Sequence, residues 1–140
     1  MNVFLDSSAL AKRYIDEAGS DRVQEILVSA DSLGVSVLCV PEIASALCRR
    51  RREGHLTRQQ YFAAVQALMD DIEDASVIGI TAAVVARAVD LLERWALRSS
   101  DSLQIACAAE WSPDLFVSAD MQQCIAAEAY GLELERVPVE

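Results

Sequence analysis

The feature that most constrains this chain is a regular alternation of short apolar runs with longer segments of helical periodicity. Val3-Phe4-Leu5, Val35-Ser36-Val37-Leu38-Cys39-Val40, Ser76-Val77-Ile78-Gly79-Ile80, Leu115-Phe116-Val117-Ser118 and residues 132–137 have the length and residue content of strands. Between them apolar residues recur every three or four positions, as in Val23, Ile26 and Leu27, or Val84, Val85, Ala88, Val89, Leu92 and Trp95. Strand and helix alternating in this way predict an α/β fold of three layers. A central, mostly parallel sheet is flanked by helices on both faces.

Pro41 stops the second run and suits the first turn of a helix. That helix continues through Leu47 and Cys48 into Arg49-Arg50-Arg51-Arg52 and ends at Gly54. Thr57-x-x-Gln60 has the pattern of a capping box, and a second helix follows through Tyr61, Val65, Leu68 and Ile72. The pair predicts a protruding helical hairpin with Gly54 and His55 near its tip. Ser99-Ser100-Asp101 caps a later helix, and no repeat or linker interrupts the chain.

At 140 residues the chain suits one domain over 1–140. Its apolar stretches fall far short of the ~20 residues a membrane span needs. Met1-Asn2 leads straight into a strand, leaving no room for a signal peptide, so the expectation is a soluble cytoplasmic protein with no membrane partner. Cys39, Cys48, Cys107 and Cys124 form no C-x-x-C pair and read as small buried thiols. The net charge of −10 matters more. A chain this acidic does not attract phosphate backbones as a whole, so a nucleic-acid partner requires local basic patches or carboxylate-held metal ions.

The chain has 22 acidic residues, and most lie on polar faces or turns. Acids at strand-to-helix junctions with apolar flanks are a smaller group. Asp6 follows Val3-Phe4-Leu5, Glu42 follows the run ending at Val40, and Asp120 follows Leu115-Phe116-Val117-Ser118. In a parallel sheet the strand C-termini share one edge, so these acids converge there. Asp101 begins a helix with a strongly apolar face and can project into the same cleft. Taken singly, such acids serve as helix caps, each stabilising by about 0.5–2 kcal/mol. Together at one edge they repel and desolvate one another unless a cation joins them. Hard oxygen ligands suit Mg2+ or Mn2+, which can bind a phosphate oxygen and activate water for phosphodiester hydrolysis. The sole histidine, His55, sits at the hairpin tip, and the five glycines form no phosphate loop.

Phe4-Leu5-Asp6-Ser7-Ser8-Ala9-Leu10 resembles the opening of a PIN domain of the VapC-type toxin ribonucleases. Pro41-Glu42-Ile43 is similar to that family's second acidic position, Ser100-Asp101-Ser102-Leu103-Gln104-Ile105-Ala106 to the third, and Val117-Ser118-Ala119-Asp120 to the fourth. The resemblance covers the whole chain. It implies that Asp6, Glu42, Asp101 and Asp120 bind Mg2+ or Mn2+, with Ser8 and Ser118 orienting them or touching substrate. It further implies an endoribonuclease, the toxin of a toxin–antitoxin pair, working as a homodimer and inhibited by a small antitoxin. Ser7 stands where threonine is common, and Ser100 where an apolar or aromatic residue is frequent.

The arginine run has two readings. It completes a helix C-terminus and pairs with the acids around 70–74, or it supplies Arg49 and Arg50 to RNA phosphates, with Lys12 and Arg13 as further candidates. Two other functions remain open. A non-catalytic PIN-like module would bind RNA or protein without cutting. A dehalogenase or receiver domain also opens on a strand and an acid, but the former expects a second acid at position 8, where this chain has Ser8.

Overall fold

The structure, a computed structural model, describes residues 1–139. Five strands form one sheet: β1 Asn2–Leu5, β2 Ser32–Ser36, β3 Ser76–Ile78, β4 Leu115–Ser118 and β5 Leu134–Arg136. Their order is β3-β2-β1-β4-β5, and every pairing is parallel. The chain therefore builds outward from β1 in one direction and returns through β4 in the other. This puts a topological switch point between β1 and β4, where open α/β sheets form their crevice.

Seven helices cover the sheet: α1 Ser7–Leu10, α2 Ser20–Ser29, α3 Cys39–Arg52, α4 Arg58–Asp74, α5 Ala82–Arg94, α6 Ser99–Trp111 and α7 Met121–Ala129. Side chains alternate across each strand, and the core divides accordingly. Val3, Leu5 and Val117 face one way, toward Leu10, Val23, Ile43, Leu47 and Leu68 of the first four helices. Phe4 and Phe116 face the other way, toward Leu91, Ile105 and Ala126 of the last three. Phe4 stacks on Phe116 with ring centroids 5.8 Å apart and tilts against Trp111 at 6.4 Å.

The hairpin of α3 and α4 forms as the sequence pattern predicts, with Thr57 and Gln60 completing the capping box. The second strand differs from its prediction. Residues 37–40 are not strand: β2 begins at Ser32, opposite Asn2, and ends at Ser36. The Ser36 hydroxyl then accepts the Leu38 N–H at 3.1 Å and turns the chain, so Cys39 and Val40 already belong to α3. Pro41 lies within that first turn, where its missing N–H has no helical partner to lose. Asp101 likewise sits inside the first turn of α6, and Arg98 holds the capping position.

Candidate active site

Asp6 ends β1 at the switch point. Its N–H donates to the Val117 carbonyl of β4 at 3.1 Å, and its side chain caps α1 by accepting the Ala9 N–H at 2.9 Å. The carboxylate is fully buried. The Ser8 hydroxyl donates to one oxygen at 2.7 Å and the Ser118 hydroxyl to the other at 2.5 Å. Burial pushes its pKa up to about 6 despite the three hydrogen bonds, which pull the other way, while the Asp120 charge adds to the rise. Among the described residues no cation touches this carboxylate.

The other acids arrive on three helix starts. Glu42 lies in the first turn of α3 and accepts the Ser7 hydroxyl at 2.8 Å and the Gln104 amide at 2.7 Å. That same amide donates to the Ser7 hydroxyl oxygen at 2.8 Å. Asp101 is buried and accepts the Gln123 amide at 3.3 Å and the Arg98 guanidinium at 3.2 Å. Asp120 caps α7 through the Gln123 N–H at 3.1 Å, and its own N–H donates to the Ser118 hydroxyl at 3.0 Å. The Ser8 hydroxyl also accepts the Ala119 N–H at 3.0 Å. One hydrogen-bonded web thus runs from Asp6 through Ser8 and Ser118 to the backbone before Asp120. A second joins Ser7, Glu42 and Gln104.

Three participants were not singled out from the sequence, Gln104, Gln123 and Arg98, and Ser7, read there as part of the turn steadying Asp6, donates instead to Glu42. Gln104 and Gln123 are buried, and each keeps a carbonyl oxygen without a hydrogen-bond partner. A signal existed. Gln104 is the lone polar residue between Leu103 and Ala109, and each glutamine stands three residues after a selected acid. A buried amide at that spacing has to find a partner.

The four carboxylates supply hard oxygen donors of the kind Mg2+ and Mn2+ prefer. Among the described residues, no three acid, histidine or cysteine side chains already close on a common point. That spacing still fits a magnesium-like ion, which is held by one or two carboxylates and keeps several waters. The buried, uncompensated Asp6 is the group such an ion would relieve.

Beside these acids lies a cleft of about 440 Å3, lined by Ser8, Asp120, Lys12, Arg49, Arg50 and Glu53 among others. Glu42, Ala46, Arg49, Arg50 and Glu53 recur at helical spacing along α3, so Arg49 and Arg50 stand two turns beyond Glu42 on the cleft wall. Arg49 is exposed, and the Nε of the half-buried Arg50 has no partner among the described residues. Among the described residues no ion pair joins the run to the acids near 70–74: Asp71 takes Arg13 and the Tyr14 hydroxyl instead, and Arg51 lies over the Tyr61 ring.

Lys12 and Arg13 are engaged elsewhere. The Lys12 ammonium is buried, donating to the Ala18 carbonyl at 2.6 Å and to Glu17 at 3.2 Å. Arg13 clamps Asp71 at 2.6 Å and lines a different pocket beside the start of β2. Lys12 thus lines the cleft with its ammonium already bonded, Arg13 lies outside the cleft, and Arg49 and Arg50 stand on its wall.

Compared by sequence with curated proteins, the chain matches none of them. Solved structures share its fold. The sarcin-ricin loop cleaving toxin VapC20 of Mycobacterium tuberculosis is 20% identical with a TM-score of 0.70, over 97% of this chain and 99% of that one. VapBC2 of Rickettsia felis, bound to a DNA fragment from its promoter, is 11% identical with a TM-score of 0.70, over 99% and 100%. FitAcB of Neisseria gonorrhoeae is 14% identical with a TM-score of 0.68, over 94% and 95%. The family model of the PIN domain matches residues 3–128, nearly the whole length over which β1, the four helix starts and β4 assemble the acids, and the chain belongs to the PIN domain family.

Proposed function

We propose that this chain is a Mg2+- or Mn2+-dependent endoribonuclease, a single PIN domain over 1–140 that serves as the toxin of a toxin–antitoxin pair. The observation that carries the reading is the buried Asp6 carboxylate, held by Ser8 and Ser118 at the β1–β4 crevice with no cationic side chain on it among the described residues. Glu42, Asp101 and Asp120 complete the donor set, and each is already oriented by a glutamine amide or a helix-start N–H. Bound there, the ion would supply a water of lowered pKa and a Lewis acid for a phosphate oxygen.

The chain's own residues do the rest. Ser8 and Ser118 keep both Asp6 oxygens fixed, and Ser7 with Gln104 fixes Glu42. Arg49 and Arg50, on the cleft wall, hold RNA phosphates and offset the repulsion of a −10 chain. The fold shared with VapC20 and VapBC2 supports RNA as substrate and a small antitoxin as partner. The same reading makes the protein a cytoplasmic homodimer. The test is cleavage of total RNA by purified protein with Mg2+ or Mn2+, repeated with chelator. Asp6→Asn and Asp101→Asn are expected to abolish cleavage, at least a hundredfold, while keeping a native circular dichroism spectrum. Full activity in both variants overturns the assignment. RNA bound but left uncut in the presence of metal points to the binding-module reading instead.

A further inference from the structure

Arg98 is the one cation bonded to any of the four acids among the described residues. It occupies the capping position of α6, and its Nε donates to Asp101 at 3.2 Å. The two ends of this pair differ sharply: the Arg98 side chain is 79% exposed, whereas that of Asp101 is 10% exposed. Glu42 and Asp120 lie near enough for their charges to act on it as well. Among the described residues the other arginine ion pairs lie within one helix or join separate elements, and they involve none of these acids.

An arginine so placed is a monovalent counter-ion for a group of carboxylates. Its bond occupies an Asp101 oxygen that a divalent ion would use, and the two positive charges repel when both are present. The bond itself is weak to break, since an exposed ion pair in water contributes little. The long side chain can leave Asp101 by rotamer change alone, while the backbone stays anchored by the start of α6. Once released, the planar guanidinium matches a phosphate through paired hydrogen bonds better than any other side chain does.

We propose that Arg98 works in two positions: on Asp101 while the site lacks a divalent ion, and on an RNA phosphate once that ion displaces it. Metal loading and substrate capture are thereby coupled through one side chain. This rests on the metal-dependent ribonuclease reading above. It predicts effects of opposite sign, which a merely structural role would not produce. If Arg98 only steadied α6, its loss would loosen Asp101 and weaken metal binding.

The experiment compares wild type, Arg98→Ala and Arg98→Lys. Calorimetric titration with Mn2+ alone is expected to show about threefold to tenfold tighter binding in Arg98→Ala. Cleavage of an RNA oligonucleotide at saturating Mn2+ is expected to show KM raised about tenfold, with kcat changed much less. Arg98→Lys, which keeps the charge without the fork, should lie between the two on both measures. Unchanged or weaker Mn2+ binding in Arg98→Ala overturns the proposal, and so does tighter binding with an unaltered KM. A wild type that neither binds Mn2+ nor cuts RNA defeats the ribonuclease reading along with it. A wild type that does both, beside an unaltered variant, defeats the Arg98 proposal alone.

Discussion

Asp6 concentrates the physical problem of this molecule into one side chain. A carboxyl whose folded pKa, about 6, stands above its ordinary value of 3.8 holds its proton more tightly in the native state. Its contribution therefore favours folding below pH about 4 and is lost as pH rises through about 6. At pH 7.5 without metal the charge is buried and uncompensated. Asp6→Asn should then stabilise the metal-free protein by about 1–3 kcal/mol at pH 7.5, with the gain vanishing near pH 4. Urea unfolding in chelator at both pH values measures this. Equal stability at pH 7.5 would mean that Ser8, Ser118 and the Ala9 N–H compensate the charge fully. Gln104→Ala belongs to the same scale. Removing the amide that aims Glu42 should weaken Mn2+ binding about tenfold or more by calorimetry. The acids themselves were legible, because a carboxylate after an apolar run is a local pattern. The partners of Glu42 were not: Ser7 meets Glu42, and Gln104 meets both, only through tertiary contacts across the crevice.

At the scale of the element, α3 carries both signs of charge needed by one site. Its first turn presents Glu42, and the same face two turns later presents Arg49 and Arg50. Arg49→Ala with Arg50→Ala should raise KM for RNA severalfold, leave Mn2+ binding near wild type, and flatten the dependence of KM on salt. A KM that follows salt as in the wild type would place the phosphate contacts elsewhere. Where α3 begins was hard to read beforehand. Residues 37–40 are apolar, and a short apolar run fits a buried strand or a buried helix turn equally well by periodicity. Pairing decided it, since β2 had already matched β1 from Ser32 onward. The hairpin was legible because Thr57, Gln60 and Gly54 act through local backbone chemistry.

The whole molecule stands on a sheet packed tightly between its helix layers. A Cβ built on Gly34 of β2 would lie 2.5 Å from the Trp111 ring, which also packs against Phe4. Gly34→Ala should therefore cost about 1–3 kcal/mol, seen as a lower urea midpoint, because the ring must shift within a close-packed layer. An unchanged midpoint would show that α6 has room to move. The parallel class and the two-sided covering were legible from strand–helix alternation, whereas the order of strands rests on contacts between distant segments. That order has a consequence in time. Ser118 and Asp120, which complete the surroundings of Asp6, are made more than a hundred residues after it. The crevice around Asp6 is therefore incomplete until β4 has docked beside β1 and α7 has begun.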